Sequence, residues 1–388
     1  MGGPLASILP PRNQRYAVRV ISVETFPLAA GARGNWLILR VHAANGATGL
    51  GEASQSGDDA AAIQHIERLG RLLQGRHIDN VATLIAELRP LITDQPARAA
   101  LSGIEQAMWD LVGQAVGMPV AALLGGPNVA EVRVYANINR ETLDRSPAGF
   151  AASAGRAMKA GFRAVKCNPF DGVEFSTRQA PGAREKIALG LERVKAVRDA
   201  IGPELELMVD CQSRFDGSLA LQVARALRPL GIFWLEDPVC ADDLDGLRSL
   251  REHVDIPIAT GETLSGAASF WPLLRERLVD YLLPDVKYCG GVREMMIIGH
   301  AALAAGVRLS AHNPSGPVST LISAHILAAN DNATWLEVAT GEVPWRAALI
   351  EPPESVTEKS TLRISGIPGL GSKLDDAIVR GSAASSSP

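Results

Sequence analysis

The sequence predicts an α/β protein in which a (β/α)8-type barrel, a modified TIM barrel, is joined to an α+β capping domain. Three short apolar runs each end in a carboxylate, at Asp210, Glu236 and Glu262, and both intervals are 26 residues long. Such an interval accommodates one strand, one helix and two short loops. Strand-like apolar runs also alternate with helical segments eight times between residues 132 and 338. Repeated βα units of this kind favour a closed parallel barrel.

The N-terminal region has the pattern of a capping domain. Residues 17–23 and 36–42 alternate between apolar and polar side chains, and an Asn45-Gly46 turn leads into residues 48–52, which predicts a small antiparallel meander. The Ala- and Gly-rich stretch 27–35 suits a mobile flap. Residues 60–124 show helical periodicity and end at the break Gly125-Gly126-Pro127.

Eight apolar runs are predicted as the barrel strands. They are residues 132–136, 164–168, 205–211, 232–236, 256–262, 281–286, 307–312 and 334–338. The last helix should be short or irregular because Pro344, Pro352 and Pro353 follow the eighth strand. Residues 360–370 return to strand character, and we expect this segment to leave the barrel and rejoin the N-terminal domain.

These patterns give the predicted domain boundaries. The capping domain covers residues 16–128, the barrel 129–350, and a segment at 351–376 returns to the capping domain. Residues 1–15 and 377–388 are expected to be disordered.

Composition restricts the class of protein. The chain has 388 residues, 47% of them hydrophobic, with a net charge of −4. This balance gives no electrostatic reason to expect nucleic acid or an anionic membrane as a partner, so a small-molecule substrate is favoured. The cysteines have no Cys-x-x-Cys spacing, and neither an apolar run of membrane-spanning length nor a signal peptide is apparent, which indicates reduced thiols and a cytoplasmic location. The cysteines are Cys167, Cys211, Cys240 and Cys289.

The three carboxylates at the strand ends predict a metal site. In a parallel barrel, equivalent strand ends lie side by side at one mouth, where three carboxylates would repel one another and resist ionisation. A hard divalent cation such as Mg²⁺ resolves this conflict. The alternative is that the acids are solvated or paired with Arg214 and Lys287.

A histidine and an aspartate are predicted to form a catalytic pair. His312 ends the seventh strand and Asp285 the sixth, so the aspartate can bind one imidazole nitrogen and leave the other as a base facing the mouth. A lone histidine on a strand is more often a core residue, but the aspartate on the adjacent strand favours a catalytic role for this histidine.

These residues carry a family resemblance. The three acids, Asp285 in Leu-Pro-Asp-Val and His312 in Ser-Ala-His-Asn, with patches at 101–111 and 119–126, resemble the mandelate racemase and muconate lactonizing group of the enolase superfamily over residues 18–371. The resemblance implies Mg²⁺ held by the three acids, His312 and Asp285 as the general base or acid, and a metal-stabilised enolate formed by proton abstraction beside a carboxylate. It also implies a homo-oligomer, from dimer to octamer.

The second strand departs from the racemase pattern. Racemases of this group carry two lysines spaced by one residue, whereas here Lys166 is followed by Asn168, which cannot accept a proton at neutral pH. Chemistry with one base is therefore favoured, with Lys166 as an electrostatic partner of the substrate carboxylate and Asn168 as a polar contact. Lys-x-Asn ends resemble the acid-sugar dehydratases, which form 2-keto-3-deoxy acids. Some of these have a histidine where this chain has Gln212, so we expect protonated His312 to return its proton to the departing hydroxyl in a syn elimination.

Further polar residues are expected to line the mouth. Glu337, at the end of the eighth strand, matches the family glutamate that binds the substrate carboxylate. Many neutral donors and acceptors suit a polyhydroxylated substrate. The other expected lining residues are Asn137, Asn139, Arg140, Gln212, Arg214, Asn313, Trp345 and Arg346. Lys287 is expected to neutralise Glu262 or Glu337, with a second acid as the alternative, and the long loop 170–184 suggests a lid or an oligomer contact.

The most favoured function is thus a Mg²⁺-dependent sugar-acid dehydratase, a carbon-oxygen lyase. An isomerase of the same superfamily, either an epimerase or racemase or a lactone cycloisomerase, uses the same enolate chemistry. A metal-free barrel glycosidase would need only two of the mouth acids. A binding protein without catalysis is a further alternative, and the complete set of acids, dyad and lysine argues against it.

Overall fold

A computed structural model describes residues 18–31, 34–78, 80–175 and 179–384. The capping sheet is an antiparallel meander, in the order β1-β2-β3. Its strands are β1 (Val20–Ala29), β2 (Asn35–Ala43) and β3 (Thr48–Glu52). The predicted flap is shorter than expected, because Pro27 and Leu28 belong to β1 and pair with β2. The flap positions 32–33 lie outside the described residues.

Four helices follow this sheet in the described part of the capping domain. They are α1 (Asp59–Leu73), α2 (Val81–Leu88), α3 (Gln95–Val116) and α4 (Val120–Leu123). Of these, α1 and α3 pack against the sheet. Asp58, Asn80 and Asp94 cap the first three helices by accepting hydrogen bonds from backbone N–H groups. Helix α3 approaches β3 so closely that a Cβ on Gly51 would lie 1.9 Å from the Gly103 carbonyl oxygen. Glycine is therefore required at this contact.

The predicted eight-stranded parallel barrel is confirmed. Its strands are β4 (Glu131–Asn137), β5 (Ala164–Cys167), β6 (Glu206–Asp210), β7 (Trp234–Glu236), β8 (Ile258–Thr260), β9 (Tyr281–Leu282), β10 (Arg308–Ala311) and β11 (Ala333–Ala339). They follow one another around the barrel, and β11 pairs with β4 to close it. Five strands, β5, β6, β8, β9 and β10, end earlier than predicted. Asn168, Glu262 and Asp285 therefore lie in the loops that follow β5, β8 and β9.

Helices surround the barrel. They are α5 (Pro147–Lys159), α6 (Ala183–Ile201), α7 (Gly217–Leu227), α8 (Leu244–His253), α9 (Ala267–Glu276), α10 (Val286–Cys289), α11 (Val292–Ala305) and α12 (Pro317–Ala328). After β11 the chain forms the 3-10 turn Arg346–Ala348, which agrees with the expected irregular last helix. None of the helices in the described ranges has both the length and the apolar character needed to cross a membrane.

The C-terminal segment differs from the prediction in two respects. Its elements are β12 (Ile350–Glu351), β13 (Thr361–Arg363), β14 (Lys373–Leu374) and α13 (Asp376–Ala384). Strand β13 pairs antiparallel with barrel strand β4, whereas contact with the capping domain is made by Gly369, which accepts from Val120 N at 2.9 Å. Residues 377–384, expected to be disordered, lie in α13, where Asp376 pairs with Arg40 of β2 at 2.7 Å. Residues 1–15 and 385–388 fall outside the described ranges.

Large side chains fill the lower part of the barrel. Tyr135, Met208, Trp234 and Trp335 are buried there together, and the rings of Tyr135 and Trp234 meet edge to face at 5.6 Å. Because this layer closes the barrel from below, polar residues at the strand ends face the opposite mouth. All four cysteines are free thiols.

Candidate active site

The three predicted metal ligands follow consecutive strands at one mouth of the barrel. Asp210 and Glu236 end β6 and β7 and are register partners, while Glu262 lies two residues after β8. Burial raises the pKa of Asp210 to about 6 and that of Glu236 to about 7, against the lowering effect of Lys166. Burial likewise raises the pKa of Glu262 well above its usual value. The ionised forms of all three therefore require a nearby positive charge.

Side chains of the protein already contact two of these carboxylates in the structure. Lys166 Nζ donates to Glu236 Oε1, Trp234 Nε1 donates to Glu236 Oε2 at 2.9 Å, and His312 Nε2 lies 3.1 Å from Glu262 Oε2. Among the described residues, no three acidic, histidine or cysteine side chains already surround a common point as metal ligands.

The donor set nevertheless fits Mg²⁺. Carboxylate oxygens are the ligands this ion prefers. Buried Glu262 Oε2 has the ion-pair contact with His312 Nε2 but no hydrogen bond of good geometry in the described part of the chain. Asp210, Glu236 and Glu262 would hold the ion. Its binding requires that Glu236 and Glu262 exchange contacts with Lys166 and His312 for the cation.

The predicted histidine–aspartate pair is present as a hydrogen bond. His312 directly follows β10, and its Nδ1 lies 2.9 Å from Asp285 Oδ2. Asp285 occupies the N-cap position of α10, where its Oδ1 accepts from Lys287 N at 2.8 Å. With Nδ1 held in this way, Nε2 is the imidazole nitrogen that faces the carboxylates of the mouth.

Neighbouring charges set the protonation of this dyad. Burial by itself would lower the pKa of His312, but the carboxylates of Glu262, Glu337 and Asp285 raise it to about 9. Burial would raise the pKa of Asp285, yet Lys287 and His312 lower it. Asp285 is thus held as the anion, and a cation bound to Glu262 would bring the pKa of His312 back toward its usual range.

Lys287 has a different partner from the one predicted. Its Nζ lies 2.8 Å from Asp285 Oδ1 and donates to Asp285 Oδ2 at 2.9 Å and to Ser319 Oγ at 3.2 Å. The expectation that it neutralises Glu262 or Glu337 is wrong, because α10 begins at Val286 and folds the lysine back onto its own N-cap residue. Lys287 therefore stabilises the ionised Asp285 and helps to fix its position beside His312.

Lys166 and Glu337 form a buried ion pair inside the mouth. Lys166 Nζ lies 3.1 Å from Glu337 Oε1, and both side chains are at most 1% exposed. Burial opposes the charge on Lys166, but Glu236 and Glu337 raise its pKa well above the usual value. Burial would raise the pKa of Glu337, but Lys166 and His312 lower it to about 2. Lys166 is consequently a fixed cation and no base.

Amide side chains from three loops line the same mouth. Asn168 N donates to Asn139 Oδ1 at 2.6 Å, and Asn313 N donates to Glu337 Oε2 at 3.0 Å. The Oδ1 atoms of Asn168 and Asn313 are buried, and neither has a hydrogen-bond partner among the described residues. Such acceptors suit the hydroxyl groups of a polar substrate.

The remaining predicted lining residues have protein partners. Gln212 is exposed and accepts from Arg214 Nη2 at 2.9 Å, and Trp345 meets Trp36 of the capping domain edge to face at 5.3 Å. Their other contacts are the Arg140–Glu342 pair at 2.5 Å, the Arg346–Glu354 pair, and the hydrogen bond from Asn137 Nδ2 to Glu337 Oε1 at 2.5 Å. A cavity of about 440 Å³ lies beside Arg140, between the flap base at Gly31 and the loops after β4 and β11.

Two residues near the site were not predicted. Asp237 is buried beside Glu236 and accepts from Thr260 Oγ1 at 2.5 Å. Tyr288 lies with its ring 6.3 Å from that of His312 and donates to the Gln55 carbonyl oxygen of the capping domain at 2.7 Å. Adjacency to the predicted ligand Glu236 could have indicated Asp237, whereas nothing local to Tyr288 indicates its contact with Gln55.

Characterised relatives share most of the chain. D-xylonate dehydratase of Haloferax volcanii is 29% identical, with 94% of each protein covered. D-galactarolactone cycloisomerase of Agrobacterium fabrum is 30% identical, with 87% of this chain and 89% of that protein covered.

Solved structures share the whole fold. A mandelate racemase/muconate lactonizing enzyme-like protein from Rubrobacter xylanophilus superimposes with a TM-score of 0.85 at 31% identity, covering 94% of this chain and 98% of that one. A mandelate racemase/muconate lactonizing enzyme from Jannaschia sp. CCS1 gives 0.84 at 30% identity, covering 94% and 97%.

Two family models account for both domains. Residues 17–125 match the mandelate racemase / muconate lactonizing enzyme N-terminal domain, and residues 149–378 match the enolase C-terminal domain-like model. Together with the closed barrel and the shared structure of its relatives, these matches place the capping sheet and the barrel in one enzyme architecture. The chain therefore belongs to the mandelate racemase and muconate lactonizing enzyme family of the enolase superfamily.

Proposed function

We propose that this enzyme is a Mg²⁺-dependent hydro-lyase that converts a sugar acid to a 2-keto-3-deoxy acid. The observation that carries the proposal is that one side of the mouth offers a group able to accept a proton, whereas the other side does not. His312 can exchange a proton, whereas Lys166 is held as a cation by Glu337, which is not among the proposed metal ligands, and Asn168 cannot titrate. A site with a single base suits elimination better than two-base racemisation.

The residues divide the reaction into two proton transfers. His312 Nε2 removes the proton beside the substrate carboxylate, and the electrons of the broken C–H bond form an enediolate whose charge lies near the Lys166 ammonium. Collapse of the enediolate breaks the C–O bond at the next carbon, and the hydroxyl leaves as water with the proton from His312. The resulting enol ketonises to the 2-keto-3-deoxy acid, so the net change is loss of one water molecule.

A Mg²⁺ ion bound by Asp210, Glu236 and Glu262 would stabilise the second negative charge that develops on the carboxylate. The ion would also reduce the effect of Glu262 on His312, so that the imidazole is free to accept a proton at neutral pH. The buried acceptors of Asn168 and Asn313 would orient the substrate hydroxyls.

The relatives support this choice of reaction. Proteins named D-xylonate, D-gluconate and arabinonate dehydratase each share 29% of aligned positions with this chain. Family membership favours a lyase over the metal-free glycosidase. The free cysteines are consistent with the proposed cytoplasmic location, and we also propose a homo-oligomer on the basis of the family resemblance.

A screen of aldonic and aldaric acids with Mg²⁺ tests the proposal through formation of 2-keto-3-deoxy acids. We expect His312→Asn to abolish turnover while His253→Asn, at an exposed histidine at the end of α8, retains it. Full activity of His312→Asn would eliminate the assigned base. Full activity in excess chelator would eliminate the metal.

An isomerase is the second candidate because one of the relatives is a lactone cycloisomerase. The two reactions differ in their products in deuterated water. Deuterium in recovered substrate without any keto acid would indicate racemisation or epimerisation, and interconversion of a lactone with an unsaturated or open acid would indicate a cycloisomerase. Formation of the 2-keto-3-deoxy acid from an open-chain sugar acid, with loss of one water molecule, would exclude both as the main reaction.

A further inference from the structure

The capping domain reaches the catalytic dyad through one buried carboxylate. Glu52, the last residue of β3, is 0% exposed and extends across the domain boundary to the start of α12, the helix that follows His312. We propose that Glu52 is a positioning residue for His312. This inference rests on the proposed function, in which His312 is the base.

Glu52 supplies the N-terminal cap that α12 lacks. Gly316 occupies the N-cap position of this helix and offers no side chain. Glu52 Oε1 accepts from Gly316 N at 2.6 Å, and Glu52 Oε2 accepts from Ser319 N at 2.8 Å. A carboxylate at this end of a helix satisfies free N–H groups and is favoured by the helix dipole. The first turn of α12 is therefore fixed by a residue 267 positions away in the chain.

The main chain connects this turn directly to the base. Only residues 313–315 separate His312 from Gly316, and the last two residues of that segment are held by hydrogen bonds. Arg346 Nη1 donates to the Ser315 carbonyl oxygen at 2.8 Å, and Gln55 of the capping domain donates to the Pro314 carbonyl oxygen. Movement of the α12 N-terminus would consequently displace His312, which directly precedes this segment.

A second connection passes through side chains. Ser319, held through its N–H by Glu52, accepts from Lys287 Nζ at 3.2 Å through its hydroxyl. Lys287 Nζ donates to Asp285 Oδ2 at 2.9 Å, and the same oxygen lies 2.9 Å from His312 Nδ1. Each of these five residues is at most 7% exposed. The chain of contacts from capping domain to imidazole is thus continuous and largely shielded from water.

Glu105 provides a matched control. It is also 0% exposed, lies in the capping domain on α3, and accepts from Arg293 N of barrel helix α11 at 3.0 Å. It also accepts from Trp109 Nε1 at 3.3 Å. The two glutamates therefore share burial and the type of contact across the domain boundary. Within the described ranges, however, the hydrogen bonds of Glu105 go to α3 and α11 and not to the dyad or to α12.

The test compares Glu52→Gln with Glu105→Gln in the full-length, Mg²⁺-loaded enzyme. A glutamine at 52 can keep the hydrogen bonds that Oε1 accepts from Gly316 N and Ser54 Oγ. Its NH2 group then replaces Oε2 and faces the Ser319 N–H, so two donors meet and the turn that holds Lys287 is loosened. We expect kcat to fall about 10- to 100-fold with KM changed less than about threefold, as for a displaced catalytic group. Glu105→Gln should keep both constants. A loss of activity of equal size in the two variants would overturn the proposal.

A second measurement does not depend on turnover. The His312 Nδ1–H proton bonded to Asp285 should give a downfield NMR signal that is absent in His312→Asn, and Glu52→Gln should shift or broaden it while Glu105→Gln preserves it. Absence of turnover in wild type would refute the proposed function, and an unchanged signal in Glu52→Gln would refute the positioning role. If Glu52→Gln does not fold, Ser319→Ala removes the hydroxyl contact with Lys287 at small structural cost. The same reduction in kcat supports the proposal, and an unchanged kcat and signal overturn it.

Discussion

Glutamine in place of Glu105 should change how the stability of the protein depends on pH. Glu105 Oε1 accepts from Arg293 N and Trp109 Nε1, whereas Oε2 is buried with no hydrogen-bond partner in the described part of the chain. A Cβ placed on Gly291 would lie 2.0 Å from that oxygen, so the space around it is closed. Glutamine fits the same volume and keeps the Oε1 contacts without a charge.

The magnitude follows from the pKa of the carboxyl group. Burial raises the pKa of Glu105 from 4.5 to about 7, although the Arg293 N–H and Trp109 oppose the change. Because the folded state holds the proton more tightly, the favourable contribution is complete below pH 4.5 and is lost as pH rises through about 7. At about 1.4 kcal/mol per pH unit, this loss is about 3 kcal/mol. The glutamine variant lacks it.

Urea denaturation of wild type and Glu105→Gln at about pH 4.5 and about pH 8 measures the effect as a difference between proteins. The glutamine variant should gain about 3 kcal/mol relative to wild type between these values. Glu252→Gln, at an exposed glutamate of α8, controls for the loss of one charge and should change stability by less than about 0.5 kcal/mol. A pH-independent difference between wild type and Glu105→Gln would refute the reasoning that burial of this carboxyl is costly.

Three further predictions concern the site and its support. Gly316→Ala would place a Cβ 2.9 Å from both Glu52 oxygens and should lower the free energy of unfolding in denaturant by about 1 to 3 kcal/mol. Gly155→Ala in α5, with open space around the new Cβ, should not destabilise the protein. Equal effects of the two substitutions would contradict the contact between Gly316 and Glu52. Lys287→Met leaves buried Asp285 without its cation and should cost about 3 to 5 kcal/mol, so a loss below about 1 kcal/mol would contradict their pairing. Mg²⁺ at about 100 times its Kd should stabilise wild type by about 3 kcal/mol, measured as a rise in Tm that Asp210→Asn reduces; an equal rise in both proteins would exclude Asp210 as a ligand.

Much of the fold could be predicted from the chain because its signals are local. Each barrel strand is a short apolar run followed by a helix-forming segment, and the constant interval between acids indicates a repeated unit. Strand ends were less predictable: β9 stops at Leu282 because the chain turns into α10, which Asp285 caps. Helix α13 was missed because it packs on the capping sheet, more than 300 residues earlier, where Arg40 of β2 pairs with Asp376.

The candidate site was predicted to a similar degree. The position of a residue at the end of a parallel strand indicates that it faces the mouth, which is why Asp210, Glu236 and His312 could be named. Lys287 was assigned the wrong partner because the sixth strand was predicted to continue to residue 286, whereas α10 begins there. Glu52 was missed as a functional residue because its partners, Gly316 and Ser319, belong to the other domain.

The sequence by itself determined the number of βα units, the order of the domains and which acids follow consecutive strands, since these depend on periodicity and on the geometry common to all parallel barrels. Only the tertiary structure decided which charge meets which. That Lys166 lies between Glu236 and Glu337, and that a capping-domain carboxylate holds the helix beyond His312, depends on distances of about 3 Å between side chains remote in the chain. Coulomb and hydrogen-bond energies change steeply over such distances, and no local pattern specifies them.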